Sequence, residues 1–426
     1  VSEDETTYEL LVTGDDVVAY LSSAGLLDRV AATPGEVGVT EVTAGNMNRV
    51  FIARGPLGSL AVKQAPPWVQ VVGPEWPVDP SRIRSEARTY ERLAERVPDS
   101  IPAILAFDES RYVLVMEDLS DLDVLRDVLV AELAPGSAAD AEGVATDSGA
   151  FAATAGIDFA DLGAVVGRFV GELAASTSRR ALGDEGHDAL IELAANPELC
   201  RMTLDVVLDE PYRAHEHNHW HPALEERVRA LYGDEDVAAA VAGVREVFET
   251  RHEALVHGDL HSGSVMLGRR DGAQTVKVFD PEFSFVGPIG LDLGLFWANL
   301  ELAAIAASAL GRHDVARERY SAVRACWDAF ARSWGDDASL AAIEADAWRF
   351  AGVEQLRRAV GFSHAADIET LPEPARAEAS ARLFDAARYH LLTGEPTPSA
   401  PAAPVGSLAD PAHPTDQHRP DQHRPE

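Results

Sequence analysis

The sequence predicts an α+β chain of two lobes: a small N-terminal lobe built on an antiparallel sheet and a larger, mainly helical C-terminal lobe. Three observations carry this. The 426 residues exceed what one hydrophobic core usually organises. Short β-rich runs separated by turn signals crowd the stretch before residue 117. Beyond it, apolar positions recur at helical spacing almost to Leu392.

Val17, Val18, Leu21, Leu26 and Leu27 predict an opening helix from Asp15 to Leu27. Glu41 to Ala53 predicts two strands around the turn AGNMN, and Ser59 to Gln64 a third that ends near Lys63. The Pro- and Gly-rich segment PPWVQVVGPEWPVDP predicts a loop, a candidate lid, with an unusual aromatic load in Trp68 and Trp76. Ser81 is the predicted N-cap of a helix that carries Glu86 and stops before Pro98. RYVLVMEDL is an apolar run ending in Glu117 and Asp118, a buried strand opening into a connector. The lobe boundary is set there, giving lobes 1–117 and 118–394. Ala134 to Gly156, rich in Ala, Gly, Ser and Asp, predicts a flexible insertion. Among the later helices, SVMLG and VKVFD predict a short β pair, and the Pro-rich stretch 395–426 a disordered tail.

With 46% hydrophobic and 25% charged residues the chain can bury a large core, which excludes collagen, coiled coil and disulfide miniprotein. The 36 basic against 70 acidic residues leave a net charge of −34, a surface that repels phosphate backbones, so no nucleic-acid partner is expected. Lys63 and Lys277 are the only lysines. A high-salt cytoplasm accounts for both biases; a high-GC genome accounts for the missing lysines and less well for the charge. Cys200 and Cys326 stand alone, so neither a disulfide framework nor a zinc ribbon is indicated, and a cytoplasmic location fits. VSEDETTYEL lacks the features of a signal peptide. The most apolar stretch, Ile289 to Leu310, is interrupted by Asp292, Asn299 and Glu301, so no membrane partner is expected.

HGDLHSGSVML followed by VFDPE places Asp259, Asp280 and Glu282 around one predicted hairpin. A loop carboxylate can orient an attacking hydroxyl and take its proton, while a second Asp after the next strand can hold the magnesium that neutralises a triphosphate. Lys63 ends a strand and Glu86 lies on the next helix, a pairing that lets the ammonium reach phosphates. In a chain that has almost abandoned lysine, its retention at position 63 indicates a need for a compact ammonium that a guanidinium does not meet.

AGNMNRVF, AVKQAPPWVQVVGPEWP, NPELCRMTLDVVLDEPY, HGDLHSGSVM and FDPEFSFVGPIGLDLGLFWANL together resemble the methylthioribose kinase family, from about residue 40 to 395. The resemblance implies a bilobal protein-kinase-like fold, ATP as co-substrate and Mg2+ as cofactor. It implies transfer of the γ-phosphate to the anomeric 1-hydroxyl of 5-methylthioribose in methionine salvage, and a homodimer. Carried over by position, Asp259 is the catalytic carboxylate at the sugar, and Asp280 and Glu282 are the metal ligands. Lys63 contacts phosphate with Gly45, Asn46 and Asn48 in the phosphate loop, backed by Glu86. The backbone around Met116, Glu117 and Leu119 holds adenine, and Arg357 and Arg358 serve the sugar. Ser264 stands where many relatives carry a metal-binding Asn, and Glu282 is the expected substitute. The family's glycine loop usually reads D-G-N-x-N, whereas Ala44 precedes Gly45 here, and the insertion and tail have no family counterpart.

Each of these residues also has a plainer reading. HGD alone is an ordinary turn; DPE and Lys63 remove that reading. Glu86 alone is a surface helix residue. Arg357 and Arg358, on adjacent helix positions about 100° apart, are surface charge without the family match, and one at the sugar with the other bracing it given the match. Trp76 is divided between packing and a place over the ligand. The four imidazoles of HEHNHWH (residues 215–221) lack a fixed scaffold and read as solvated rather than metal-binding. Rival acceptors within the fold are another sugar, choline or an aminoglycoside. A rival of another class is an inactive nucleotide-binding regulatory protein, against which intact Lys63, Asp259, Asp280 and Glu282 argue.

Overall fold

The computed structural model describes residues 8–43, 47–134 and 156–398. Helix α1 (Gly14–Ser23) is shorter than its apolar pattern suggests and starts at a reciprocal cap. Thr13 Oγ1 accepts the Asp16 N–H, and the Asp16 carboxylate accepts the Thr13 N–H. β1 (Gly38–Val42), β2 (Arg49–Gly55) and β3 (Gly58–Gln64) follow the predicted strands. The expected tryptophan loop instead contains a hairpin, β4 (Trp68–Val69) and β5 (Gly73–Pro77). α2 (Ile83–Leu93) is entered through a single turn whose cap is the Asp79 carboxylate, which accepts the Ser81 N–H, so Ser81 is not the N-cap. β6 (Ile104–Asp108), which the sequence did not signal, and β7 (Val113–Glu117) complete an antiparallel sheet ordered β1-β2-β3-β7-β6.

The two faces of this sheet alternate as a pleat requires. Phe51, Ala53, Leu60, Val62, Val113 and Val115 pack with α1 residues Val17, Tyr20 and Leu21. Ala61, Leu114 and Met116 point the other way, into a cluster with Ile83, Tyr90 and Leu93 of α2 and with the helices that follow. Lys63, two residues after Ala61, shares that second face.

The chain leaves the sheet after Glu117. β8 (Asp123–Val124) and α3 (Leu125–Leu133) lead to α4 (Phe159–Thr177), α5 (Arg179–Leu193), α6 (Pro197–Val206), α7 (Glu225–Leu231) and α8 (Glu235–Thr250). Four short strands intervene: β9 (Ala254–Val256), β10 (Val265–Arg270), β11 (Ala273–Val278) and β12 (Phe285–Gly287). β10 and β11 form the predicted pair, with β8 on the other edge of β10, while β12 pairs with β9. Then come α9 (Gly290–Ala309), α10 (His313–Trp334), α11 (Asp337–Val360), α12 (Ala366–Glu369) and α13 (Ala375–Thr393).

By length and composition α9 is apolar enough to cross a membrane, yet it is buried inside the protein, against α10, α11 and α13. Its polar interruptions are each satisfied: Asp292 by backbone N–H groups, Asn299 by the Ser262 hydroxyl, and Glu301 by Gln355 and His390. α4 and α10 approach unusually closely. A Cβ on Gly163 or Gly167 would lie 2.1 or 2.0 Å from the carbonyl oxygens of Ala322 and Cys326. Most of the expected insertion and of the expected tail lies outside the described residues. At the start of the tail, the Glu395 N–H donates to Thr393 Oγ1 and the Glu395 carbonyl bonds the His390 ring. These contacts order Glu395, the first residue of the predicted tail.

Candidate active site

Lys63 is buried, at 6% exposure, because the strand period turns it toward α2 and the C-terminal helices. Its Nζ lies 2.6 Å from Glu86 Oε2 and donates to Asp280 Oδ1. Burial works against the lysine charge, but Asp280, Glu86 and Glu282 outweigh it and raise its pKa. Burial pushes Glu86 up to about 8 against the pull of Lys63. Asp280, the strongest of the three, keeps Lys63 an ammonium. Tyr90, one turn after Glu86 and so on the same face of α2, accepts the Asp280 N–H at 2.9 Å.

The HGD segment follows β9. Burial depresses His257 to about 4, so the ring is neutral. Its Nε2–H donates to the Phe279 carbonyl at 3.0 Å and Nδ1 accepts the Asp259 N–H at 3.3 Å. Gly258 has φ +86°, and a Cβ there would lie 2.3 Å from the Phe283 carbonyl oxygen, so only glycine fits. The Asp292 carboxylate of α9 accepts the N–H groups of His257 and Gly258 at 2.7 and 2.9 Å, which anchors the turn. Asp259 thereby projects a partly exposed carboxylate, 3.5 Å from His261 Nε2. Ser264 Oγ donates to the Asp259 carbonyl and so braces the loop.

Asp280 sits at φ +68°, a left-handed conformation that Asp tolerates better than most residues. Burial opposes its charge, but Lys63 holds its carboxyl below the usual range. Glu282, unlike the partly exposed Asp280, is buried; burial and then the Asp280 charge raise it to about 7. Its Oε2 accepts from Asn48 Nδ2 at 2.8 Å and lies 3.5 Å from Arg82 Nε. Arg82, 4% exposed, also donates to Asn48 Oδ1 and to the carbonyls of Met47, Pro66 and Asp79. One guanidinium thus ties Met47 and Asn48, the segment after Lys63 and Glu282 together.

At the end of α11, Arg357 and Arg358 do not diverge as expected. Both reach back to Glu354: Arg357 through Nε and Nη2, Arg358 through Nε, at 2.7–2.9 Å. Burial favours the neutral acid, but the two guanidinium groups outweigh it and hold Glu354 at about 2. Arg357, Glu354 and Asp259 line one small cavity whose other walls include Val207, Leu208, Phe248, Leu291, Leu295, Phe350 and Val353.

The phosphotransferase enzyme family matches residues 38–330. Among solved structures, a glucosamine kinase overlays 89% of this chain and 83% of its own at TM-score 0.46 and 16% identity. A methylthioribose kinase of Geobacillus kaustophilus is 32% identical over 77% of this chain and 80% of its own. Those of Bacillus pumilus and Cronobacter sakazakii are 31% and 33% identical, over 87% and 84% of this chain and 89% and 88% of theirs. The chain belongs to the methylthioribose kinase family.

Of the residues that the family resemblance singled out, Lys63, Glu86, Asp280, Glu282 and Asn48 converge around the Lys63 ammonium, with Asp259, Arg357 and Arg358 beside the cavity. Gly45 and Asn46 lie outside the described residues. Met116 and Leu119 are buried, and Glu117 is engaged within the chain: its N–H donates to the Ala103 carbonyl and its carboxylate pairs with Arg270. Trp76 packs beside Val69, Val78 and Leu199. The sequence reading missed Arg82, Glu354, Tyr90 and Asp292. For Glu354 the signal was available, a carboxylate three and four residues before two arginines; for Arg82 there was none. Methylthioribose kinase membership implies a divalent ion. The partly exposed Asp280 and the buried Glu282 crowd charge enough to push Glu282 to about 7, and together are an oxygen-donor set that suits Mg2+.

Proposed function

We propose that the chain transfers the γ-phosphoryl group of ATP to the anomeric 1-hydroxyl of 5-methylthioribose, in methionine salvage, with magnesium as cofactor. The cluster of Lys63, Asp280 and Glu282, in a chain of this family, carries this reading. The cavity beside Asp259, about 30 Å³, has to open to admit a sugar, and its lining supplies both polar groups (Asp259, Arg357) and hydrocarbon (Val207, Leu208, Phe248, Leu291) to such a ligand. Its second carboxylate, Glu354, is already bonded to two arginines, so no acidic field awaits a cationic choline or aminoglycoside.

The sugar hydroxyl gives its proton to Asp259 as its oxygen bonds to the γ-phosphorus, and the bond to the β–γ bridging oxygen breaks to leave ADP. Lys63 meets the phosphates with a charge fixed by its carboxylate partners, while Arg357 and Arg358 add positive charge where the phosphoryl group passes. Asp280 and Glu282 would hold the magnesium, which when bound neutralises triphosphate charge. Adenine rests on the backbone between Met116 and Leu119, between lobes that divide after residue 117.

ATP consumption with 5-methylthioribose, ribose, choline and kanamycin tests the acceptor. Turnover with methylthioribose is expected to exceed the rest, and turnover with choline or kanamycin alone overturns the assignment. Asp259→Asn is expected to lower kcat by about two to four orders of magnitude with ATP affinity unchanged. Near-normal turnover in that variant removes Asp259 as the base.

A further inference from the structure

The loop between α6 and α7 holds a group of side chains that the phosphoryl-transfer site does not use. Glu210, 7% exposed, starts a single helical turn, and Asn218 Nδ2 donates to the carbonyls of Glu210 and Arg213, both at 2.8 Å. These bonds close the loop into a ring and supply the scaffold that the sequence reading found lacking. Across the ring, Glu210 Oε2 lies 2.8 Å from His217 Nδ1 and 3.5 Å from His215 Nδ1. One ligand atom from each of the three residues falls within 4.8 Å of the others.

We propose that Glu210, His215 and His217 form a binding site for a divalent transition-metal ion of the zinc class. One carboxylate and two imidazoles, with a fourth position left to water, are a donor set that zinc favours over magnesium or calcium. Bonds of about 2.0–2.1 Å in a tetrahedron set ligand atoms about 3.3 Å apart, and the two measured edges bracket that value. Binding displaces to solvent the proton shared between His217 Nδ1 and Glu210 Oε2, requires a small closure at His215, and breaks the long 3.3 Å bond from the His217 N–H to His215 Nδ1.

The ion would stiffen the loop that touches the end of α11 and the residues after it. The His219 N–H donates to the Val360 carbonyl at 3.1 Å, and the His217 ring lies 5.6 Å from that of Phe362, whose carbonyl accepts from Arg357.

The test uses the untagged full chain, stripped with chelator and dialysed against zinc sulfate, with bound zinc counted by elemental analysis. Cobalt substituted for zinc reports geometry by its visible absorption. One zinc per chain and a tetrahedral cobalt spectrum are expected. His215→Ala leaves the Glu210–His217 hydrogen bond in place, so its fold is retained, and it should weaken zinc affinity more than tenfold. Glu210→Gln should do the same. Absence of zinc uptake overturns the proposal, and so does uptake unchanged in His215→Ala, which would assign the ion to histidines elsewhere, such as His418 and His423.

Discussion

Glu354 has no exposed surface and carries two guanidinium groups, so its ionisation is tied to folding. Folding lowers its carboxyl from 4.5 to about 2. The stabilisation is therefore complete above pH 4.5 and vanishes as the pH falls through 2. The whole shift is worth about 3 kcal/mol, at about 1.4 kcal/mol per pH unit. In urea melts the stability gap between the native chain and Glu354→Gln should shrink by about 1 kcal/mol per pH unit below 4.5. A gap that stays constant to pH 3 contradicts the pairing. Arg357 and Arg358 meet on Glu354 although they occupy adjacent helix positions. The 100° divergence holds for Cβ atoms, but long side chains on a helix lean back toward its N-terminus, and both guanidiniums reach the same carboxylate. Lys63, Glu86 and Asp280 were legible because residue type, spacing and the scarcity of lysine all pointed to them. Arg82 was not, since its partners Asn48, Pro66 and Glu282 come together only in the fold.

α2 illustrates what an element contributes beyond its residues: Glu86 and Tyr90, one turn apart, hold the side chain of Lys63 and the backbone of Asp280. The helix was legible from its periodicity, and β3 and β7 from their apolar runs. β6 was not, because its residues are all half-buried and show no alternation. The contact of α4 with α10 makes a sharper prediction. Gly167→Ala, which would press a methyl against the Cys326 carbonyl, should cost about 1–3 kcal/mol. Gly243→Ala on the exposed face of α8, with no atom within 4 Å, should instead stabilise by about 0.5–1 kcal/mol. Thermal melts of the two variants should move in opposite directions; a fall in both would mean that helix backbone, not interhelical distance, sets the effect.

At the scale of the whole chain, a net charge of −34 sets carboxylates against one another. Exposed pairs such as Arg179 with Asp184 and Asp188 contribute little and weaken with salt, so the screened repulsion should dominate. The melting temperature should rise with KCl up to about 1 M, where the Debye length reaches about 3 Å. A flat or falling melting temperature leaves codon bias as the account of the missing lysines. The α+β architecture was legible because the strand-to-helix change in periodicity is long-range. The cavity was not, since its walls come from α6, α8, α9 and α11, four helices distant in sequence. Both lysines are buried, Lys63 at 6% and Lys277 at 7% exposure, the latter donating to the Ile101 carbonyl. The folded surface therefore offers no lysine amine to acylating dyes or to glutaraldehyde. Reagents of that kind will leave native side chains unlabelled until the fold opens, which makes lysine acylation a direct clock for unfolding.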